Sequence, residues 1–298
     1  MRTKYGIPAI ALIAGLALTG CVDNSDPKDT SKPDDQATVA VDEAAVALLP
    51  ESIKTAGKLV VGIDPNYAPN EYKDNAGEPI GWSVDLGDAM AAKLGLTMDY
   101  RPSSFDKIIP SILGGTFDIG YSSFTDNEER QKSVDFVNYY NAGVQWAQPI
   151  GKTVDPDDAC GLKVSVQTAT FEETDELPAK SEECVAAGKA PIDIQKYETQ
   201  AEATNALALG KADAMSADSP VTLYAISQVK DKIEAAGETF DVAPYGIATS
   251  KNNELTKALQ AALQSLVDDG TYTKILDKWG VASGGLTTIT INAATSGK

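Results

Sequence analysis

Polar side chains that can donate hydrogen bonds follow an apolar segment at positions 121–130, which read YSSFTDNEER. Ser122, Ser123 and Thr125 carry hydroxyl groups, and Arg130 ends an acidic stretch. A guanidinium is planar and can make two parallel, charge-assisted hydrogen bonds to a carboxylate. An arginine beside glutamates can instead form a solvated ion pair on the surface. The segment therefore indicates either a group of donors for an anion or an ordinary surface turn.

The composition argues against several classes of function. The chain has 298 residues, of which 43% are hydrophobic and 23% charged, so it is long enough for one large domain or two medium ones. Its formal net charge of -18 argues against nucleic acid as a partner, because nucleic-acid binding requires a basic surface. The sequence contains no histidine, which removes His-based triads, His general bases and most zinc and iron sites.

The elements before the polar segment alternate between strands and helices. The apolar run at 58–64 predicts a strand, and 83–96 predicts a helix with Leu86, Met90 and Leu94 on its buried face. A short strand near 98–102, a second helix and a strand at 117–121 follow. This alternation predicts a mostly parallel sheet with helices on its faces.

A second unit begins near residue 150 and repeats the order of strand, polar turn, helix and strand. A later helix carries four leucines on one face, for which core packing is the expected role, namely Leu255, Leu259, Leu263 and Leu266. The order predicts two α/β lobes, the first of them discontinuous. Two crossing strands near 144–151 and 241–247 would form the hinge between the lobes.

The N-terminus has the pattern of a secretory signal. Arg2 and Lys4 precede an apolar run at 7–18, which is short for a membrane span. The ending LTGC resembles a bacterial lipobox, which implies cleavage before Cys21 and lipidation of that cysteine. The alternative is an ordinary signal peptide followed by a chance cysteine. We expect a signal peptide at 1–20, a disordered tether at 21–50, and a lipid anchor on the outer face of the cytoplasmic membrane.

The cysteines predict one disulfide and no metal site. No CxxC pair is present, so a zinc cluster or redox motif is not expected, and neither is a cofactor. Once Cys21 is lipidated, Cys160 and Cys184 remain as an even pair in an oxidising compartment. We therefore expect a bond between them.

The chain also resembles the amino-acid-binding extracytoplasmic solute-binding proteins of ABC importers, of the family 3 type. Five segments carry the resemblance in order, namely GIDPNYAP, GWSVDLGDAMAAKLGL, SFDKIIPSILGGTFDIGYSSFTDNEERQKSVDF, VSVQTAT and DDGTYTKILDKWG. The resemblance implies a two-lobe periplasmic-binding-protein-like α/β fold with two crossover hinge strands. It implies a monomer that holds an amino acid between its lobes and presents the closed form to ABC permease subunits.

The same resemblance implies the extent of each lobe. Lobe 1 would comprise residues 51–147 and 245–283, and lobe 2 residues 148–244. Residues 284–298 would form a C-terminal tail.

Site residues in lobe 1 follow from the resemblance, position by position. Arg130 corresponds to the arginine that clamps the ligand's α-carboxylate, and Ser123 and Thr125 to the polar pair at the α-amino and α-carboxylate ends. The remaining positions correspond to a pocket serine, two aromatic walls and an acid at the side-chain end, namely Ser122, Tyr67, Phe105 and Asp64. Core packing is the alternative for the aromatic residues.

Lobe 2 contributes a helix start and an acid. Thr170, with the backbone of Phe171, corresponds to a second contact for the α-carboxylate, and Asp218 to the acid that holds the α-ammonium. The chain has Ala169 where the family often has glycine, and Phe171 where it often has threonine. These departures leave the backbone contact intact and put a threonine hydroxyl in doubt.

Three questions stay open at the level of sequence. The ligand can be glutamine, a basic amino acid or another polar one. Asn70 and Trp82 replace usual phenylalanines, and their effect on specificity does not follow from the sequence. Rival functions are an enzyme on the same fold, similar to cyclohexadienyl or arogenate dehydratases, and a sensor domain, which would need a second membrane segment.

Overall fold

The computed structural model describes residues 39–294. The predicted signal peptide, the lipidation site at Cys21 and the tether up to residue 38 lie outside these residues. Within the described part of the chain, no helix is long and apolar enough to cross a membrane.

Helices and strands alternate along most of the chain. The strands are β1 Lys58–Ile63, β2 Asn66–Tyr67, β3 Glu71–Lys73, β4 Pro79–Ile80, β5 Thr97–Pro102, β6 Ile119–Thr125, β7 Val134–Pro149, β8 Lys163–Gln167, β9 Asp193–Tyr197, β10 Ala214–Asp218 and β11 Ile233–Ser250. The helices are α1 Glu43–Ala47, α2 Glu51–Ala56, α3 Trp82–Lys93, α4 Phe105–Leu113, α5 Glu128–Gln131, α6 Leu177–Ala186, α7 Gln200–Ala208, α8 Ser219–Gln228, α9 Leu255–Asp268 and α10 Thr271–Trp279. A π-helical turn, Glu172–Glu176, precedes α6, and a 3-10 turn, Ala282–Gly284, follows α10.

The strands β5, β1 and β6 are parallel neighbours, and so are β10, β8 and β9. We call the part built on the first set the first lobe and the part built on the second set the second lobe. In the eight-stranded sheet the order is β5-β1-β6-β11-β7-β10-β8-β9, so β11 and β7 lie between the lobes. The fold is the predicted α/β type.

The two central strands are longer than the sequence suggested. β7 and β11 run antiparallel to each other, with register shifts near Phe240 and Tyr245. Their partners change along their length: β11 pairs with β6 in the first lobe, and β7 pairs with β10 in the second. Each long strand therefore belongs to both lobes. The crossover expected at 241–247 lies within β11, and the one expected at 144–151 lies on β7 as far as Pro149.

Each lobe has its own buried core. Trp82 lies in a cluster with residues of α3 and α9, whereas Trp146 lies in a cluster on the second-lobe side of the sheet. The predicted faces of α3 and α9 are confirmed, because their members expose at most 2% of their surface, namely Leu86, Met90, Leu94, Leu255, Leu259, Leu263 and Leu266.

Both ends of the described chain depart from the expected tether and tail. Residues 43–47 form α1, which is capped by the Asp42 carboxylate, and Ala45 and Leu49 are buried against the first-lobe core. At the other end, Ile289 is buried, and the Asn138 amide donates to the Thr290 carbonyl oxygen. The few apolar side chains in these segments are enough to order them, because they find an existing core to pack against.

The predicted disulfide is confirmed. Cys160 and Cys184 are bonded, with their Cα atoms 5.5 Å apart. Cys184 lies on α6 and is buried in the second-lobe core. The bond ties the turn before β8 to this helix.

Replacing both cysteines with alanine should lower the free energy of unfolding by about 3 kcal/mol, because the bond closes a loop with a sequence separation of 24. Urea unfolding would measure the change. Ligand affinity should stay within about twofold, since neither cysteine lines the ligand cavity described below. Val185→Ala, an exposed neighbour on the same helix, is the control and should change stability little.

Candidate ligand-binding cleft

The carboxyl ends of parallel strands from both lobes meet around one enclosed space. β1 leads into Asp64, β6 contains Ser122 and Ser123, β8 ends at Gln167, and β10 ends at Asp218. Crevices at the carboxyl ends of parallel strands are the usual binding places of α/β sheets. The space is lined by Asp64, Tyr67, Phe105, Ser122, Ser123, Thr125, Arg130, Gln167, Thr170, Phe171 and Asp218.

Every residue that the sequence predicted for the ligand site lines this cavity. The one additional lining residue is Gln167, at the last position of β8. The position of Gln167 just before the polar turn could have predicted this, because residues at the end of a strand next to a binding turn face the same crevice. The cavity collects the predicted residues, and their roles toward a ligand stay predictions.

Arg130 lies in the wall of the cavity. It belongs to the short helix α5, which is capped by Asn127. The Asn127 side-chain oxygen accepts from the Arg130 backbone N–H at 2.9 Å. The guanidinium donates to the Thr125 carbonyl oxygen at 2.8 Å and, across the cleft, to the Ala169 carbonyl oxygen at 2.9 Å. The central carbon of the guanidinium, Cζ, also lies 5.6 Å from the centre of the Phe105 ring. The guanidinium is thus held by both lobes, and the neighbouring Glu129 pairs with Lys132 instead.

Charges around Arg130 act against each other. Burial lowers the pKa of its guanidinium, whereas the negative charges of Glu172, Asp175 and Asp218 raise it. An arginine keeps its charge under such opposing shifts, because its ordinary pKa is far above neutrality. A half-buried positive charge that is bonded here to carbonyl oxygens remains suited to a carboxylate ligand.

The turn after β8 presents backbone groups to the cavity. Ala169 has a φ of 66°, in the left-handed region that favours glycine, which explains why glycine is frequent at this position. The Thr170 hydroxyl donates to the Gln167 carbonyl oxygen at 2.9 Å. Because that hydroxyl serves the turn itself, the backbone of the helix start is what remains for a ligand.

Asp218 faces Tyr67 across the cleft. The Tyr67 hydroxyl donates to the Asp218 carboxylate at 2.6 Å. Burial raises the pKa of Asp218 to about 6, although the Tyr67 and Tyr245 hydroxyls and the charge of Arg130 oppose this shift. A positively charged ligand group beside Asp218 would stabilise its ionised form.

Asp64 forms a second bridge between the lobes. One of its carboxylate oxygens accepts from the Asn66 side chain at 2.6 Å, and the other from the Gln167 side chain at 2.8 Å. The residue is 2% exposed, and burial raises its pKa. Its carboxylate is therefore available to a further donor that enters the cavity.

Two buried acids that were not predicted lie behind the lining residues. Glu71 accepts hydrogen bonds from the hydroxyls of Ser123 and Ser122, at 3.0 and 3.5 Å. Glu172 lies next to Phe171, and its Oε1 atom has no hydrogen-bond partner among residues 39–294. Burial raises the pKa of both side chains well above the usual range. No local sequence signal marks either residue, because their burial is a result of the tertiary fold.

The site therefore contains more acids than bases. Among the described residues that line it, Arg130 is the only cation, whereas Asp64 and Asp218 are both acids. Glu71 and Glu172 lie behind these residues, where burial favours their neutral forms. Because uncompensated buried charge is costly, the cavity favours an occupant that brings positive charge as well as a carboxylate.

Comparison with known proteins identifies the class to which this fold and cleft belong. The profile of the bacterial extracellular solute-binding proteins, family 3, matches residues 59–282. The chain belongs to this family.

Particular relatives narrow the comparison. The chain is 41% identical over 293 residues to the arginine-binding protein ArgT of Corynebacterium glutamicum, covering 95% of each sequence. An ancestral arginine-binding protein bound to arginine is 34% identical, with a TM-score of 0.69 over 75% of this chain and 98% of that one. An ancestral amino acid-binding protein, a precursor of cyclohexadienyl dehydratase, is 32% identical, with a TM-score of 0.67 over 78% of this chain and 99% of that one.

Arg130→Ala should raise the dissociation constant by at least about 30-fold for the amino acid that stabilises the wild-type protein most in a thermal-shift panel of the common amino acids. Removing one partner of a buried charge pair costs about 2 to 5 kcal/mol. Calorimetric titration of ligand-stripped protein measures the change. Arg101→Ala is the control, because this side chain is 57% exposed and pairs with Asp99 on the surface. Near-native affinity in the Arg130 variant would show that the guanidinium does not hold the ligand.

Proposed function

We propose that this protein is an extracytoplasmic receptor that captures an amino acid between its lobes and delivers it to an ABC importer. The family, the fold and the arrangement of the cleft support this proposal. Donors suited to a carboxylate come from Arg130 and the turn at Thr170, and an acceptor suited to an ammonium comes from Asp218. An α-amino acid carries these two groups on one carbon atom.

The ligand we propose is a cationic amino acid, with L-arginine as the first candidate. The observation that carries this choice is the surplus of buried acid around a single guanidinium. With its α-carboxylate at Arg130 and its α-ammonium at Asp218, the ligand has one further positive group, which Asp64 would accept. Gln167, already bonded to Asp64 at 2.8 Å, could orient that carboxylate. The relatives that are named as arginine-binding support the same choice.

Closure of the cleft would depend on the ligand. Two hydrogen bonds join the lobes at the cavity, from Tyr67 to Asp218 and from Gln167 to Asp64. Their acceptors are two buried acids, Asp64 in the first lobe and Asp218 in the second. Without a cation, closing the lobes brings these negative charges out of water and toward each other. A ligand that neutralises them stabilises the closed state over the open one, and thereby shifts the population toward it.

We infer binding without turnover for this chain. A dehydratase on the same fold requires an acid poised at the reacting centre of its substrate. Here the lining acids face donors or the proposed cationic groups of the ligand. The structural neighbour that precedes cyclohexadienyl dehydratase is itself named as an amino acid-binding protein.

We also propose that the protein is a monomeric lipoprotein, anchored through Cys21 on the outer face of the cytoplasmic membrane. The LTGC motif supports the anchor. In our proposal, lobe 1 comprises residues 51–147 and 245–283 and lobe 2 residues 148–244, with α1 added to lobe 1 because it packs on that core.

Asp64→Asn should weaken L-arginine binding by about tenfold to 100-fold, which is the usual effect of losing one charge-assisted hydrogen bond. L-citrulline, the neutral isostere of arginine, should change by less than about threefold, because it has no charge for Asp64 to neutralise. Calorimetric titration of both ligands gives the two ratios. Asp106→Asn, which removes an exposed acid from the helix that carries Phe105, is the matched control.

Two results would contradict the ligand assignment. One is an equal loss of arginine and citrulline affinity in the Asp64 variant. The other is a wild-type protein that binds citrulline as tightly as arginine.

A further inference from the structure

Asn70 and Glu71 are neighbours in the chain, and both lie beneath the floor of the cavity. Neither lines the cavity, and neither exposes any of its surface. Both contact Ser123, which does line it. Two polar side chains so deeply buried need an explanation, because burying polar groups is costly unless they have defined partners.

The orientation of the Asn70 amide follows from Trp82. The Trp82 indole nitrogen lies 2.7 Å from the Asn70 side-chain oxygen. An indole N–H can only donate, so the atom that it meets must be the amide oxygen. The Asn70 nitrogen then points toward Ser123, at 3.0 Å from its hydroxyl oxygen, and toward the Tyr245 hydroxyl, at 3.4 Å.

The Ser123 hydroxyl is therefore constrained on two sides. It accepts from Asn70, and it donates its own proton to the Oε2 atom of Glu71 at 3.0 Å, which requires that the proton favoured on Glu71 by burial lies on Oε1. A hydroxyl has one proton and two lone pairs, so a single lone pair is left on Ser123, which is one of the residues that line the cavity. In this arrangement Ser123 can accept a hydrogen bond from a ligand and cannot donate one.

The backbone at Ser123 supports a specific arrangement. Its φ is 51°, in the left-handed region that is uncommon for residues other than glycine. Such a conformation persists when surrounding contacts hold it in place. The bonds to Asn70 and Glu71 provide contacts of this kind.

We propose that Asn70 and Glu71 are positioning residues that make Ser123 an obligatory acceptor for the ligand's α-ammonium. The inference rests on the proposed function, because it assumes an amino-acid ligand. The proposal gives a role to Asn70 and Trp82, which replace usual phenylalanines. Trp82 fixes the Asn70 amide, and Asn70 with Glu71 fixes the Ser123 hydroxyl. Asp218 from the other lobe would be the second acceptor for the same ammonium group.

The test compares L-arginine with 5-guanidinopentanoic acid, which is arginine without its α-amine. The dissociation constant for 5-guanidinopentanoic acid divided by that for L-arginine measures how much the α-amine contributes to binding. Ser123→Ala should lower this ratio by about tenfold, the usual effect of one hydrogen bond to a charged group. Glu71→Gln and Asn70→Leu should lower this ratio by a similar factor, mainly by weakening arginine binding, because the Ser123 hydroxyl is then no longer held in the orientation that presents its lone pair to the ammonium.

A double-mutant cycle separates positioning from a general structural effect. In the Ser123→Ala background, Glu71→Gln and Asn70→Leu should produce little further change in the ratio, since the group that they position is absent. Glu78→Gln, an exposed acid in the following turn, is the control. Thermal unfolding shows whether each variant is folded. If only one of Glu71→Gln and Asn70→Leu folds, that variant is sufficient for the test.

Several outcomes would overturn the proposal. One is a Ser123→Ala protein with an unchanged ratio. Another is a lowered ratio in Ser123→Ala combined with unchanged ratios in the Glu71 and Asn70 variants. A fully additive cycle would also overturn it, because the two residues would then act independently of Ser123. If wild-type protein bound neither compound, the proposed function itself would fail.

Discussion

An unbalanced set of buried charges is the constraint on which the cleft depends. Around the enclosed cavity, Asp64 and Asp218 face a single guanidinium, and Glu71 and Glu172 lie behind them. Burial raises the pKa of all four acids, which means that ionisation of each side chain is less favourable here than in water. In our proposal, a cationic amino acid would relieve this cost at two places and satisfy Arg130 at a third. Affinity, selectivity and closure would then have one common origin.

The fold brings these charges together by joining two parallel sheets through two long strands. β7 and β11 belong to both lobes, so the carboxyl ends of β1 and β6 face those of β8 and β10. Arg130 of the first lobe can then reach the Ala169 carbonyl oxygen of the second. Left-handed backbone at Ser123 and Ala169 turns the chain toward the cavity from each side. Two of the five described non-glycine residues with left-handed backbone therefore lie where the lobes present polar groups.

The sequence allowed the fold and most of the cavity lining to be predicted, because both depend on local patterns and ordered motifs. The leucine faces of α3 and α9 follow from helical periodicity. Arg130 and its serines follow from a polar run after a strand. Glu71 could not be found in this way, since a glutamate beside polar residues gives no sign that the fold will bury it. The pairing of Trp82 with Asn70 also requires the three-dimensional contact.

The identity of the ligand was open for a related reason. A choice between glutamine and a basic amino acid depends on the sum of charges around the cavity, and these come from distant parts of the chain. The overall charge of -18 does not reveal that sum, because most acids lie on the surface. The ends of the folded part were misjudged because α1 and the segment around Ile289 depend on a core made by other elements.

Proton exchange on binding tests the charge imbalance most directly. L-arginine would be titrated calorimetrically into ligand-stripped protein at pH 6.0, in two buffers with different ionisation enthalpies. The α-ammonium beside Asp218 should lower the pKa of that carboxyl from its value of about 6, so binding should release protons into the buffer. Binding without proton exchange, or with proton uptake, would contradict the claim that buried carboxylates are neutralised by a cationic ligand.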